Sequence, residues 1–252
     1  MNLINEKVTH KNKTIGSGVI VEQKRANART NYAFKCNYCD GNADSMKIGF
    51  AGVCSDKIIY NNIIVEPKSW CVQDTCPCMQ YHSGEITREQ LESEVSVCYE
   101  SEMLTKWKVY AGMNAEGTAR RISELSPDKL CVLTTRDPKA ESEAERYIFA
   151  AFIIGAGDEG DEYESGCIYA KTDYTICFNS EEAHRIKFWD YHKNANAPEE
   201  KIWRMGLYRK FEDDEALKFL DAIVSVKSGT VDQAQAERLR DYFIQRNNIV
   251  TS

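Results

Sequence analysis

Long apolar runs are absent from this chain: no segment approaches the roughly 18 uninterrupted apolar residues of a membrane span, so no membrane association is expected. Histidine is scarce, with only four residues, His10, His82, His184 and His192. An HNH nuclease needs a His pair with an Asn in a ββα setting, and His192-Lys193-Asn194 does not supply it. There is no Gly-x-Ser-x-Gly elbow, no Walker loop, and no Gly-x-Gly-x-x-Gly turn between a strand and a helix. Gly155-Ala156-Gly157 follows an apolar run, but an acidic stretch comes next. Nucleotide hydrolysis and hydride transfer are therefore disfavoured, and nothing in the order of residues pairs a cysteine with a histidine for thiol catalysis. The opening residues, Met1 to Lys7, lack the apolar core of a secretion signal. The expectation is a reducing cytoplasm, where clustered cysteines bind metals more often than they form disulfides.

What is abundant is cysteine. Six of the ten crowd between residues 36 and 78: Cys36, Cys39, Cys54, Cys71, Cys76 and Cys78. Cys36-Asn37-Tyr38-Cys39 has the two-residue gap that lets both sulfurs of a tight turn face one ion. Cys76 and Cys78 are close enough to serve together, and Cys71 or Cys54 could substitute. Four thiolates complete a tetrahedral Zn²⁺ site, which supplies folding energy that a small module lacks. An iron–sulfur cluster also takes four cysteines and is the alternative. Such a site has no open position, so a structural role is expected. Cys98, Cys131, Cys167 and Cys177 fall in apolar runs and read as core.

Charge is uneven. Residues 1–90 hold 11 Lys+Arg against 9 Asp+Glu, and the remainder 21 against 30, for a net −7. An acidic chain that binds nucleic acid must use a local basic patch. The candidate is Lys24, Arg25, Arg29 and Lys35, ahead of the cysteines.

The pattern predicts an α+β protein in two parts: a β-rich cysteine/zinc module over residues 1–90 and an α+β domain over 91–252. In the first, Gly18–Val21, Met46–Cys54 and Ile58–Val65 read as strands. Thr87 and Gln90 form a capping box opening a helix. In the second, Val95–Tyr99 reads as a strand and Glu102–Ala111 as a helix. Leu130–Thr135 and Tyr147–Ile154 are continuous apolar strands of the fully buried kind. An acidic loop follows, then shorter strands at Cys167–Ala170 and Tyr174–Phe178. Asn179 and Glu182 cap a helix running towards Tyr191. A helix over Asp214–Val224 presents Leu217, Leu220, Ile223 and Val224. Thr230 and Gln233 cap a last one that buries Leu239, Tyr242 and Phe243.

Within 95–225, the turn Ser126-Pro127-Asp128 followed by Leu130-Cys131-Val132-Leu133-Thr134-Thr135, and then by Tyr147–Ile154, resembles the PUA-like superfold, in particular the EVE-like domains that read modified bases. The family's usual glycine in the second of these strands is Ala150 or Ala151 here. The resemblance implies a twisted sheet or partial barrel with flanking helices, and a pocket between Tyr99–Trp107 and the strand end at Thr134–Arg136. A flipped or unpaired base would stack on an aromatic ring while polar side chains read its edge. Tyr99, Glu100, Ser101, Trp107, Thr134, Thr135 and Arg136 are the candidate contacts, with Trp189 as a second aromatic wall. A cysteine-rich segment ahead of such a domain also resembles parts of modification-dependent restriction systems. The implied partner is nucleic acid, with DNA favoured, and a partner enzyme or a second copy could complete the function.

Two other readings stay open. Asp56, Glu66 and Lys68 mimic the acidic pair and lysine of a metal-dependent nuclease. A protein-interaction adaptor would use the same residues as packed core.

Overall fold

A computed structural model describes residues 30–41, 53–66, 69–93, 99–112, 120, 122, 124–155, 166–204 and 206–250. The expected strand Gly18–Val21, the run from Met46 to Gly52, residues 95–98 with Cys98, the acidic loop and the cations Lys24, Arg25 and Arg29 lie outside these residues.

Two apolar strands form the centre. β3 (Leu130–Thr135) and β4 (Tyr147–Ile154) have every side chain buried, as their unbroken apolar character requires. Burying each of the large side chains on β4 contributes about 1.5–3 kcal/mol. They pair antiparallel, with a register shift between Leu133 and Thr134. β5 (Cys167–Cys177) is one continuous strand where the sequence suggested two, and its pairing with β4 shifts between Phe152 and Ile154. Such bulges bend a sheet and increase its twist.

Among the described residues the sheet has six strands in the order β2-β5-β4-β3-β1-β6, with β2 at Lys108–Tyr110, β1 at Asn31–Lys35 and β6 at Tyr208–Phe211. Only β1 and β3 run parallel; the other neighbours are antiparallel. The result is an α+β fold whose mixed sheet curls into a half-barrel flanked by helices. The sequence assigned residues 31–35 to the cysteine module. They form an interior strand of this sheet, so a boundary at residue 90 does not separate sheet from cysteine segment.

One buried amide ties the sheet together. Asn31 accepts from the Leu130 amide at 2.8 Å and donates to the Phe211 carbonyl and to Asp213 Oδ1. Asp213 also receives the buried Lys129 ammonium at 2.6 Å.

The helices differ from expectation where the β-leaning reading was strongest. Ile58–Val65 is not a strand: α1 (Asp56–Tyr60) continues into a π-helical turn at Asn61–Val65. Ile58, Ile59, Asn62 and Ile63 form one buried stripe at helical spacing, and that packing overrides β-branched propensity. A 3₁₀ turn (Trp70–Val72), α2 (Pro77–Ser83) and α3 (Arg88–Ser93) follow, the last with the Thr87–Gln90 capping box in place. α4 (Tyr99–Lys106) occupies part of the region read as strand then helix. It stops at Trp107, whose φ of 48° breaks the helix before β2.

After β5, Asn179 and Glu182 cap α5 (Ser180–His184) as the sequence indicated, but the helix ends at Arg185 rather than near Tyr191. α6 (Asp213–Lys227) and α7 (Gln233–Asn247) pack together, and each buries apolar side chains, Phe219, Leu220 and Ile223 on one and Leu239 and Phe243 on the other. Tyr242 is half-buried, and its hydroxyl donates to Asp128 at 2.6 Å. No helix among the described residues is long and apolar enough to cross a membrane.

Candidate functional site

Strand polarity gathers chemistry at one end of the sheet. Because β1 and β3 are parallel while β4 and β6 run against them, Lys35, Thr134, Thr135, Tyr147 and Tyr208 come to a common edge. Here the backbone of β1 carries on into the cysteine segment: the Cys36 amide donates to the Thr134 carbonyl at 2.9 Å. Thr134 and Thr135 are fully buried, and their hydroxyls donate to the carbonyls of Phe34 and Cys36. They hold β3 to β1, so their polar groups are engaged within the sheet rather than turned to a ligand.

Cations crowd this edge. Arg146, almost wholly buried, pairs with Glu143 and lies 3.4 Å from the carbonyl and hydroxyl of Thr134. Arg136 is about 3.5 Å from both Glu143 and Glu66, a long and loose pairing. Arg209 on β6 has no carboxylate partner among the described residues; its guanidinium donates to the carbonyls of Ile202 and Trp203. The guanidiniums of Arg146 and Arg209 lie over the Trp203 ring, 5.0 and 5.5 Å from its centre. Burial, then the neighbouring Arg146, holds the Lys35 ammonium below its ordinary pKa, although Glu143 and Glu66 pull the other way. Burial followed by Arg204 does the same to Arg209. The Lys35 side chain is solvent-exposed while its ammonium environment is partly desolvated; the exposure marks it as reachable.

Aromatic rings sit behind these charges. Trp203 packs on Phe188 and Trp189 at 5.2 and 6.3 Å, and Phe188 stacks on Phe219 at 5.8 Å. Trp189, expected as an aromatic wall, is buried in this cluster. Its Nε1 and the Nε of Arg209 are buried polar atoms without a hydrogen-bond partner among the described residues. Leaving a buried donor unsatisfied costs about 1–3 kcal/mol. Both atoms are shut off from solvent, so this cost is carried by the fold rather than offered to a ligand.

The remaining candidates fall less neatly. α4 crosses towards this edge, because Met103 Sδ lies 3.7 Å from Cys36 Sγ. The backbone places Tyr99, Glu100 and Ser101 in the first turn of α4. Trp107 instead packs edge-on against Phe152 at 6.1 Å, and its carbonyl accepts from Ala170. Phe152 pairs with Cys131 near the start of β3, so Trp107 stands away from Thr134–Arg136. Trp203, which sequence reading passed over together with Arg209, is buried beneath the two guanidiniums and holds them in place rather than facing solvent.

The cysteine segment is gripped by polar contacts. Asp40 accepts from the Ser55 amide and hydroxyl at 2.8 and 2.6 Å, and Asn62 donates to the Tyr38 carbonyl at 2.7 Å. Asn37 Nδ2 lies 3.3 Å from Ser69 Oγ and 3.9 Å from Cys71 Sγ. These contacts bring thiols together as the backbone turns. The Cys54 thiol is pushed well above its ordinary value by the hydrogen bond it shares with Cys39, by burial, and by charge on Cys39, Cys78 and Cys71. The Cys76 thiol is drawn down to about 3 by hydrogen bonds from Cys71 and Cys78, helped by the backbone amides of Cys78 and Met79. Cys36 Sγ lies 3.7 Å from Met103 Sδ, so that contact occupies one side of the sulfur, and its charge bears on the buried Cys131. Among the described residues no three Cys, His, Asp or Glu side chains meet the spacing of a ready metal-ligand set. None of the nine described cysteines is in a disulfide.

The nuclease constellation does not assemble. Asp56 opens α1 and pairs with Arg88 at 3.1 Å, while Glu66 follows the π-helical turn and faces Arg136. The two carboxylates lie at opposite ends of this helical run and face different arginines, so they are not gathered at one site. Lys68 lies outside the described residues. No family model, curated protein or solved structure matches the chain.

Proposed function

We propose that this protein binds nucleic acid and recognises an exposed or modified base at the polar edge of its half-barrel. The observation that carries the reading is the gathering of Lys35, Arg136, Arg146 and Arg209 at one end of the sheet, where Lys35 and Arg209 have no carboxylate within ion-pair distance among the described residues. Phosphates neutralise such cations and supply acceptors, and the half-buried Tyr208 at the same strand end gives a base a ring to stack on. The curled mixed sheet with flanking helices supports a PUA/EVE-like architecture. With Asp56 and Glu66 apart, strand cleavage in a defence system falls to a partner enzyme.

A second element of the reading is structural zinc on four thiols drawn from Cys39, Cys54, Cys71, Cys76 and Cys78, in a reducing cytoplasm. Mutual contact among these sulfurs supports it: crowding opposes ionisation at Cys54 while hydrogen bonds favour the thiolate at Cys76, and a divalent cation would hold such thiolates together. Zinc would tie the end of β1 to the helical segment. Elemental analysis should find about one zinc per chain, with no iron absorbance. Cys76→Ser should lose the zinc and much of the stability, and Cys36→Ser should retain the zinc. Loss of zinc in the Cys36 variant alone would reverse the ligand assignment.

The nucleic-acid reading is tested by anisotropy of labelled plain and base-modified oligonucleotides at low salt. Arg209→Ala should weaken binding by about tenfold or more. Equal affinity in the two proteins would remove this edge as the binding surface.

A further inference from the structure

We infer that Tyr60, Ile64 and Val65 form an apolar ridge that packs against the faces of unpaired bases, beside the cations that take the phosphates. The inference rests on the nucleic-acid reading and extends it to a second contact surface with a different chemistry.

The helical run from Asp56 to Val65 buries Ile58, Ile59, Asn62 and Ile63 against the protein. Its other side should be polar, as on an ordinary surface helix. Instead Tyr60, Ile64 and Val65 are 54%, 50% and 59% exposed. Tyr60 and Ile64 are four residues apart and so share a face. The π-helical turn, a feature that concentrates at functional sites, carries both Ile64 and Val65. Tyr60 meets the His82 ring edge-on at 6.4 Å, which places an aromatic pair at the outer end of the ridge.

Position selects the occupant. Val65 is followed by Glu66, whose carboxylate is 3.5 Å from Arg136 and close enough to Lys35 to influence its ammonium. The ridge therefore ends at the cation-crowded edge. Beyond Arg209 lies Ile202, 48% exposed, whose carbonyl accepts from the Arg209 guanidinium. Cations flanked by exposed apolar side chains match a polyanion with apolar faces. A single strand offers phosphates on one side and bases on the other, and apolar side chains commonly pack on or between unstacked bases.

The test uses the full chain, a labelled single-stranded oligonucleotide, and the same strand with abasic spacers in place of its bases. Ile64→Ser/Val65→Ser changes exposed side chains, and an unchanged melting temperature checks the fold. The variant should bind the normal strand about tenfold more weakly than wild type. The loss should be the same at every salt concentration, because no ion pair is removed. Wild type should lose a similar factor on the abasic strand, whereas the variant should scarcely distinguish the two strands. Equal binding by variant and wild type would overturn the ridge while leaving the nucleic-acid reading intact. If wild type binds no oligonucleotide at low salt, the parent reading fails, and this inference with it. If wild type sediments as a dimer and the variant as a monomer, with oligonucleotide affinity unchanged, the ridge is a self-association surface and the inference is overturned.

Discussion

Cations are treated in opposite ways in two parts of this molecule. Beneath the C-terminal helices, Lys227 is fully enclosed and answered by Glu182 at 2.8 Å and Asp232 at 3.0 Å. Lys129 is likewise matched to Asp213. At the polar edge of the sheet, Lys35 and Arg209 have no carboxylate within ion-pair distance among the described residues, and other cations press on both. Paired buried charges hold a fold together. Crowded charges oppose it, and their presence makes sense where a bound anion supplies the missing partner.

Removing a partner from the paired region should have the largest effect. Glu182→Ala strands the Lys227 ammonium with only the more exposed Asp232 and removes the α5 capping box. A loss of about 3–5 kcal/mol is expected in denaturant unfolding. Lys35→Ala should change stability by no more than about 0.5 kcal/mol in either direction. Comparable losses at the two sites would erase the distinction.

A smaller effect follows from acid. Burial alone would raise the Asp128 pKa, but the Tyr242 hydroxyl and the Arg246 guanidinium outweigh it and hold the carboxyl below its ordinary value. A depressed carboxylate pKa gives stability that is present above the unfolded value, about 3.9, and is lost as pH falls through the folded one. Stability should therefore decline below about pH 4, and Asp128→Asn should flatten that part of the profile. An unchanged profile would detach α7 from this turn.

The smallest effect is at alkaline pH. The lowered Lys35 pKa means folding favours the neutral amine, so stability rises as pH increases through the lowered value. Anion binding needs the ammonium and should weaken over the same range, below the pH at which an ordinary lysine titrates. Oligonucleotide affinity that stays flat through that range would separate Lys35 from the site.

Legibility in the sequence follows the range of the interactions. β3 and β4 are readable because unbroken apolar runs leave no alternative to burial, and the caps at Thr87 and Asn179 are readable because capping is local. β1 and β6 are short, and both depend on long-range pairing, Asn31 with Phe211 and Phe34 with Tyr208. No window of residues contains both strands. Asp56–Val65 misleads because isoleucine favours strands in isolation, whereas here its buried stripe has helical spacing. The thiol window was plain in the sequence, but the turn of Cys36 towards Met103 was not. Arg146, Trp203 and Arg209 are unremarkable in their own segments and acquire chemistry only when β6 joins β1 beside β3.

The central claim is that the crowded cations await phosphates. The most direct test is oligonucleotide affinity measured across a series of salt concentrations for wild type and Lys35→Glu. The expected result is tight binding at low salt that weakens linearly in log–log form, with the slope reduced by about one unit in the variant. Identical lines for the two proteins, or no binding at the lowest salt, would contradict it.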